Sequence, residues 1–186
     1  MTREPPTTRE PTMDEAVRPT GATASGGVVQ LATAADTHDF GVALGRRLRP
    51  GDLVILSGSL GAGKTALTKG IAQGMGVTGL VTSPTFVIAR VHRPADPAGT
   101  TLVHVDAYRL GGAVELDDLD LDTDLPQAAV VVEWGEGVAE QLADDHLLVE
   151  LTRLPDDRRI ATVSATGPGW AARLADLRTD SGGRRV

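Results

Sequence analysis

The sequence contains no cysteine, and aromatic side chains make up only 3% of its 186 residues. The absence of cysteine excludes disulfide bonds, thiolate metal sites and a cysteine nucleophile, and it is consistent with a reducing cytoplasm. Because aromatic residues are scarce, a buried core has to consist mainly of Val, Leu, Ile and Ala. The hydrophobic content of 41% is sufficient for such a core, and the length favours one domain.

Long apolar runs and an excess of positive charge are also missing. No apolar run approaches the length of a membrane span, and the first 21 residues lack the apolar segment of a signal peptide. We therefore expect a cytoplasmic protein that has no membrane partner. The net charge is −7, whereas proteins that grip nucleic acid through phosphates usually have a basic surface. Direct, stable binding of RNA or DNA is accordingly disfavoured.

The most informative segment is GSLGAGKT at residues 58–65, which fits the Walker A pattern of a phosphate-binding loop. Glycines allow the backbone to wrap around phosphates with its N–H groups directed inward, Lys64 adds positive charge, and the Thr65 hydroxyl helps to hold Mg²⁺. An apolar strand precedes the loop and a helix follows it, so the helix dipole adds to an anion site. We predict nucleotide contacts from Gly58, Ser59, Leu60, Gly61, Ala62, Gly63, Lys64, Thr65 and Ala66.

The chain is expected to have three parts: a disordered N-terminal tail at residues 1–27, a P-loop domain at 28–170, and a C-terminal helix end with a frayed tail at 171–186. Periodicity predicts strands at 28–31, 53–56, 87–91, 101–105 and 128–132, and a terminal hairpin at 146–152 and 160–166. Helices are predicted at 37–48 and 66–72, with shorter ones within 115–125 and 135–142. This order predicts an α/β P-loop NTPase fold, in which helices flank a mainly parallel central sheet and antiparallel strands extend one edge.

Two apolar strands end in acidic residues. Asp106 follows the strand at 101–105, and Glu133 follows the strand at 128–132. The carboxyl ends of parallel strands meet at one edge of a sheet, so both side chains should lie beside the phosphate-binding loop. Asp106 is the Walker B candidate that holds the metal or a metal-bound water, and Glu133 could bind the metal or orient an attacking water. The alternative is that these strands simply end in polar residues before loops.

Several other side chains have both a functional and a structural interpretation. Ser83 and Thr85 follow the P-loop helix, where nucleotide switches place a hydroxyl that senses the γ-phosphate, but they could equally belong to a proline turn. Trp134 could stack on a base or pack at the rim. Arg158, in the turn of the terminal hairpin, could approach phosphates or remain in solvent, as could its neighbour Arg159.

The four segments GSLGAGKT, SPTF (83–86), HVDAYRL (104–110) and VEWGEG (132–137) follow one another in a recognisable order. Together they resemble the TsaE (YjeE) family of small bacterial P-loop ATPases over residues 28–166. The resemblance implies that the chain binds ATP and Mg²⁺ and hydrolyses ATP. It also implies a role in the threonylcarbamoyl-adenosine modification next to the anticodon of tRNAs that read codons beginning with A. The implied partners are TsaB and TsaD, the transferase pair, and tRNA would be reached only through their complex.

The resemblance also assigns roles to individual residues. It implies that Lys64 contacts phosphates, that Thr65 and Glu133 hold Mg²⁺, and that Asp106 is the Walker B acid that completes the metal and catalytic set. Trp134 would lie on the nucleotide side, Ser83–Phe86 would form a switch-like loop, and Thr37 would lie near the nucleotide. Arg158 is the arginine of the last hairpin, although Asp157 stands before it where the family often has glycine.

Three other functions are compatible with a P-loop. A small-molecule kinase would need an acceptor pocket and usually an arginine-bearing lid, and no lid insertion is obvious. A GTPase would need the N-K-x-D motif, which is absent; the only lysines are Lys64 and Lys69. A nucleotide-gated binding module, in which hydrolysis is incidental, overlaps with the function implied by the resemblance.

Overall fold

A computed structural model of the chain describes residues 23–170 and 173–174. The described residues include seven strands, four short or medium-length helices and three 3₁₀ turns, and residues 168–170 and 173–174 are also helical. The strands are β1 (Thr23–Leu31), β2 (Leu53–Ser57), β3 (Ala89–His92), β4 (Thr101–Asp106), β5 (Ala128–Glu133), β6 (His146–Arg153) and β7 (Arg159–Thr166). The helices are α1 (Ala34–Gly45), α2 (Lys64–Gly74), α3 (Ala113–Asp117) and α4 (Leu121–Asp124), and the 3₁₀ turns are Ala107–Arg109, Leu125–Gln127 and Glu140–Leu142.

The seven strands form one sheet in the order β1-β7-β6-β2-β5-β4-β3. The four inner strands β6, β2, β5 and β4 run parallel to one another. Every residue of β2 and β5 is buried, as is typical of parallel strands covered on both faces. The predicted α/β class and the mainly parallel centre are therefore confirmed.

The prediction that antiparallel strands extend one edge of the sheet is wrong, because they extend both edges. β7 and β1 add to β6 in antiparallel pairing at one edge, and β3 pairs antiparallel with β4 at the other. The cause at the second edge is the connection between β3 and β4. Residues 93–100 form a hairpin loop, and a hairpin can only join antiparallel neighbours.

The start of the first strand also differs from its prediction. β1 begins at Thr23 rather than at residue 28, so the fold includes residues assigned to the tail. Backbone pairing with β7 accounts for this, because Thr23 pairs with Thr166 and the ladder continues across a bulge between Ser25 and Gly27. The rest of the predicted tail lies outside the described residues, as does the predicted segment 171–186 except for residues 173 and 174.

Helix α1 begins and ends three residues before the predicted span of 37–48. Thr33 is its N-cap, and a capping box joins the Thr33 hydroxyl to the Asp36 amide (3.1 Å) and the Thr33 amide to the Asp36 carboxylate (2.8 Å). Two other bounds differ. β3 starts at Ala89, because the Val87 and Ile88 amides both donate to the Pro84 carbonyl in a turn. The short helix predicted within 135–142 is only a 3₁₀ turn.

Helices α1 and α2 pack against each other through glycines. A Cβ atom at Gly45 would lie 2.1 Å from the Ile71 carbonyl oxygen, and one at Gly70 would lie 2.0 Å from the His38 carbonyl oxygen. Gly41 and Gly74 make equally close approaches, to the backbone of Leu67 and of Val42. This close packing fixes the position of α2, whose first turn carries Lys64 and Thr65.

Two apolar clusters lie on opposite faces of the sheet. Alternate residues of the parallel strands contribute to each, so that Val54 and Leu56 pack with the α1–α2 pair, while Leu53 and Ile55 pack with α3 and α4. Among the residues that the structure describes, no helix combines the length and the apolar character needed to cross a membrane.

Candidate functional site

The candidate site lies where β2, β4 and β5 end. Leu56 and Asp106 are both paired in register with Glu133, so the two acidic residues are neighbours at this edge. The glycine loop (residues 58–63) connects β2 to α2 beside them. A cleft of about 400 Å³ opens here. The predicted site residues that line it are Leu60, Gly61, Gly63, Lys64, Thr65, Ala66, Ser83, Thr85, Asp106, Glu133 and Trp134.

The glycine loop needs its glycines for two reasons. Gly58, Gly61 and Gly63 have φ angles of 133°, 80° and 114°, which side chains rarely adopt. A Cβ atom at Gly58 would also lie 2.3 Å from the Leu151 carbonyl oxygen on β6. The remaining predicted loop residues do not line the cleft: Gly58 faces β6, Ala62 is buried in the core, and the Ser59 carbonyl accepts from the Ala62 amide.

Lys64 is almost fully buried at the start of α2. Its Nζ donates to the carbonyl oxygens of Gly58 (2.6 Å) and Ser59 (3.0 Å) and lies 3.4 Å from the centroid of the Trp134 ring. Burial lowers the pKa of Lys64, and the negative charges of Glu133 and Asp106 oppose this effect. The ammonium group is thus held against the loop by backbone carbonyls and an aromatic face.

Glu133 is buried and accepts three hydrogen bonds. Its Oε2 accepts from the Thr65 hydroxyl (2.9 Å), which lies in the first turn of α2. Its Oε1 accepts from the Thr68 hydroxyl (3.2 Å) and from Nε2 of His104 (2.8 Å). The carboxylate therefore connects β5, β4 and α2 at the base of the cleft.

Asp106 anchors the segment that follows α2. Its Oδ2 accepts from the hydroxyls of Ser83 (2.6 Å) and Thr85 (2.5 Å), and its Oδ1 accepts from the Tyr108 amide (3.1 Å). The Ser83 and Thr85 hydroxyls are also 2.6 Å from each other. Both predicted hydroxyls thus meet the predicted acid, and residues 83–88 are held at the mouth of the cleft through that carboxylate.

Trp134 is placed over the cleft by an unusual backbone conformation. Its φ angle is 60°, which is uncommon for a residue other than glycine, and its amide donates to the Leu56 carbonyl (2.9 Å). The ring lies over Lys64 and 5.0 Å from the Tyr108 ring. The two aromatic side chains form one wall of the cleft.

The donors at the base of the cleft fit a magnesium ion. Mg²⁺ prefers oxygen ligands and is usually bound by one or two carboxylates together with phosphate oxygens and water. The Thr65 hydroxyl and the Glu133 carboxylate lie 2.9 Å apart, and Asp106 is the neighbour of Glu133 in the sheet. No group of three or more acidic, histidine or cysteine side chains suited to a metal occurs in the described residues, and Mg²⁺ beside a nucleotide requires none.

Two further predicted residues, outside the glycine loop, are not part of the cleft wall. Thr37 is fully buried and donates its hydroxyl to the Thr33 carbonyl (3.2 Å), although its Cγ2 would lie 3.5 Å from a Cβ atom at Gly63. Arg158 instead lines a separate cleft of about 350 Å³ between β1 and the β6–β7 turn. Its Nε donates to Asp156 (2.7 Å), which lowers the pKa of that carboxyl group.

Two arginines approach the glycine loop. Nη1 of Arg153 would lie 3.5 Å from a Cβ atom at Gly61. Nε and Cδ of Arg159 would lie 3.5 and 3.7 Å from a Cβ atom at Gly63. Arg159 is the first residue of β7, whereas Arg158 belongs to the turn. Successive side chains of an extended chain point in opposite directions, so the two arginines point to different sides. Both arginines of the turn were named from the sequence, and the start of β7 at Arg159 distinguishes their directions.

Three residues of the site were not assigned to it from the sequence: Thr68, His104 and Tyr108. His104 is fully buried and bonded to Glu133. The period of two along a strand was an available signal, because it places His104 on the same face as Asp106. Likewise, the helical period places Thr68 on the face of Lys64, to whose carbonyl it donates (3.0 Å).

Comparisons with known proteins find similar sequences and a similar structure. The family model described as "Threonylcarbamoyl adenosine biosynthesis protein TsaE" matches residues 31–161. A Mycobacterium tuberculosis (strain H37Rv) protein named tRNA threonylcarbamoyladenosine biosynthesis protein TsaE is 56% identical over 146 residues, 75% of this chain and 87% of that protein. A Streptomyces coelicolor protein of the same name is 54% identical over 139 residues, 72% of this chain and 93% of that protein. The crystal structure of Bacillus subtilis YdiB superposes with a TM-score of 0.62 at 29% identity and covers 87% of this chain and 95% of that chain.

Proposed function

The chain belongs to the TsaE family of tRNA threonylcarbamoyladenosine biosynthesis proteins, and on this premise we propose that it is the ATP-binding and ATP-hydrolysing component required for that modification. It acts on the TsaB–TsaD transferase complex and thereby on tRNAs that read codons beginning with A. It is a Mg²⁺-dependent ATPase of the cytoplasm that is slow alone and regulated by its partners. It reaches tRNA only through the complex.

The observation that carries this proposal is the contact between Glu133 and Thr65. A carboxylate from the end of β5 meets the hydroxyl that follows the Walker A lysine at 2.9 Å. In P-loop NTPases, a P-loop hydroxyl and an acidic side chain hold Mg²⁺ beside the terminal phosphates. Together with the order of strand, glycine loop and helix, the contact supports assignment to the P-loop NTPase fold.

The loop and Lys64 would bind the phosphates. The inward N–H groups of a glycine loop and the N-terminus of α2 attract anions. Lys64 donates to two loop carbonyls, and phosphate oxygens are stronger, charged acceptors that can take over these donors. Nucleotide binding would therefore exchange hydrogen bonds within the loop for hydrogen bonds to phosphate.

The acidic groups would supply the chemistry. Thr65 and Glu133 would hold Mg²⁺ with Asp106 nearby, and the bound ion would neutralise charge on the phosphates. Asp106 holds Ser83 and Thr85 at the mouth of the cleft, where their hydroxyls could contact a terminal phosphate. Asp106 would hold the metal or a metal-bound water, and Glu133 could also orient the attacking water.

The surroundings of the cleft favour regulation by a partner protein. Leu60, Phe86 and Tyr108 lie around its mouth and are 85%, 85% and 60% exposed. Exposed apolar side chains beside a site are typical of surfaces that another protein covers. A site that is open to water in the isolated protein is also expected to hydrolyse ATP slowly, because closure excludes water and completes catalytic geometry.

The experiment that tests the proposal is ATP hydrolysis by the purified protein, alone and with TsaB and TsaD from the same source. We expect weak activity alone that changes when the pair is added. Lys64→Ala should lose ATP affinity, whereas Asp106→Ala and Glu133→Ala should retain the fold and lose hydrolysis. Lys69→Ala is the matched control, because Lys69 is the only other lysine and is exposed on α2. Brisk hydrolysis indifferent to the pair would contradict the proposal.

A reconstituted tRNA modification assay then tests whether hydrolysis is required. If Glu133→Ala binds ATP without hydrolysing it and still supports repeated rounds of modification, the protein is a nucleotide-gated module. If one round or fewer is observed, hydrolysis is part of the cycle.

A further inference from the structure

Glu133 is held by donors of unequal strength. His104 Nε2 lies 2.8 Å from Oε1, whereas the Thr68 hydroxyl lies 3.2 Å from the same oxygen. The Thr68 hydroxyl has a single hydrogen, and it is also 3.0 Å from the Lys64 carbonyl, which competes for that hydrogen. His104 is therefore the stronger of the two hydrogen-bond donors to Oε1.

The partner of His104 fixes its tautomer. An ionised carboxylate only accepts hydrogen bonds, so Nε2 must carry the proton. Nδ1 of His104 is buried and has no hydrogen-bond partner among the described residues. In the neutral ring with its proton on Nε2, Nδ1 is an acceptor, and an unpaired acceptor in the interior is more readily tolerated than an unpaired N–H.

The ring has little freedom to move. His104 is fully buried on β4, where it pairs with Val131 of β5 on one side and with Arg90 of β3 on the other. It therefore belongs to the rigid sheet, whereas Thr65 and Thr68 belong to α2. Oε1 of Glu133 is thus held from the sheet by His104, whereas Oε2 meets the Thr65 hydroxyl at the cleft.

We infer that His104 is a positioning residue that fixes the orientation of the Glu133 carboxylate, so that Oε2 faces the Thr65 hydroxyl and the Mg²⁺ of a bound nucleotide. This inference rests on the proposed function, because it assigns a role toward the same site. His104 touches neither nucleotide nor metal and acts only through Glu133. Groups that orient metal ligands in this way typically change metal affinity or activity by about 10–100-fold when they are removed.

The test measures how strongly Mg²⁺ tightens the binding of ADP. Calorimetry gives the Kd of ADP with MgCl₂ and with EDTA for wild-type protein, His104→Leu and His104→Gln. In His104→Leu we expect the ratio of the two Kd values to fall about tenfold, with the Kd in EDTA changed less than about threefold. His104→Gln retains an N–H donor and should recover most of the ratio.

A matched control is available at His92. Like His104, His92 is a buried histidine, but it lies on the edge strand β3. Its ring centroid lies 6.2 Å from that of His104, and its Nε2 has no partner among the described residues. His92→Leu should therefore leave the Mg²⁺ effect within about twofold of wild type, in line with a change that touches no ligand. If His104→Leu does not fold, His104→Asn takes its place. The asparagine side chain is shorter than that of glutamine, so its amide should not reach Oε1 of Glu133.

Each outcome decides the inference. An unchanged Mg²⁺ effect in His104→Leu would overturn it. It would also be overturned if His104→Gln and His92→Leu lost as much of the Mg²⁺ effect as His104→Leu does, because this result would indicate a packing role. Loss in His104→Leu with recovery in His104→Gln would support it. If wild-type protein binds ADP with the expected Mg²⁺ effect but never hydrolyses ATP, with or without partners, the proposed function fails while the inference stands.

Discussion

Lys64 and Trp134 are in direct contact: Nζ of the lysine lies 3.4 Å from the centroid of the indole ring. Such a cation–π contact is stabilising by about 0.5–2 kcal/mol, depending on how far it is desolvated. The positive φ angle of Trp134 directs the ring over the lysine, and the Ser57 hydroxyl, which is bonded to Glu136, ties the same loop to the end of β2. Without nucleotide, Lys64 is therefore held by an aromatic face as well as by the loop.

The intrinsic fluorescence of Trp134 should report nucleotide binding. Binding of ADP should draw Lys64 toward the phosphates and change the charge above the indole ring, so the emission should change with saturation. The chain has two tryptophans, and Trp170 is buried in the core far from solvent. Trp134→Phe should therefore abolish the change, whereas Trp170→Phe should keep it. A nucleotide-dependent signal that survives in Trp134→Phe would contradict this interpretation of the contact.

Removal of the Thr85 hydroxyl should loosen the segment that follows α2. Thr85→Val keeps the shape of the side chain but loses the hydrogen bond to Asp106. Amide hydrogen exchange of Val87 and Ile88, which donate to the Pro84 carbonyl, should become faster, and ATP hydrolysis should fall about tenfold. Thr82→Val is the matched control in the same segment. Exchange rates equal to wild type in Thr85→Val would show that Ser83 alone is sufficient.

Substitution of Gly45 by alanine should destabilise the protein. The added Cβ atom would lie 2.1 Å from the Ile71 carbonyl oxygen, and a backbone atom within a helix cannot move aside. We expect a loss of about 2–4 kcal/mol in the free energy of unfolding, as for other overpacked sites. Chemical denaturation measures this loss. The control Gln73→Ala lies on the exposed side of α2 and should change stability by less than about 0.5 kcal/mol.

His92 should make stability depend on pH. Burial lowers the pKa of His92 below its ordinary value of 6.5, with further lowering from His104 and Arg90. The unfolded chain therefore takes up a proton at higher pH than the folded protein does. Stability is full above the ordinary pKa and declines as the pH falls through 6.5, by at most about 1.4 kcal/mol per pH unit.

The measurement is the free energy of unfolding between pH 8 and pH 5 for wild type and for His92→Leu. The variant should lose less stability over that interval, whatever its stability at pH 8. Parallel curves for the two proteins would mean that His92 does not titrate differently on folding.

Much of the site was predictable from the sequence because its groups follow backbone rules. Glycines that need positive φ angles mark the loop, and acids at the ends of parallel strands must meet at one edge. The partners of those acids were harder to predict. His104 meets Glu133 only because β4 and β5 pair in one particular register, and that register depends on contacts between distant segments.

Two differences between the predictions and the structure have similar causes. β1 begins before its apolar residues do, because backbone pairing with β7 does not require apolar side chains. Arg159 rather than Arg158 reaches Gly63, because the first residue of β7 sets which side chains face the loop. In both cases local composition indicated the right element, and long-range pairing decided its bounds.

The order of the sheet has a consequence for the synthesis of the protein. β2, which leads into the glycine loop, has β5 and β6 as its neighbours, and Leu53 pairs with Val130 and His146. The glycine loop and α2 are therefore synthesised long before the two strands that pair with β2. Glu133 is synthesised with β5, the first of these two strands. A nascent chain should gain no nucleotide affinity until most of it has emerged, so nucleotide binding can serve as a reporter of completed folding.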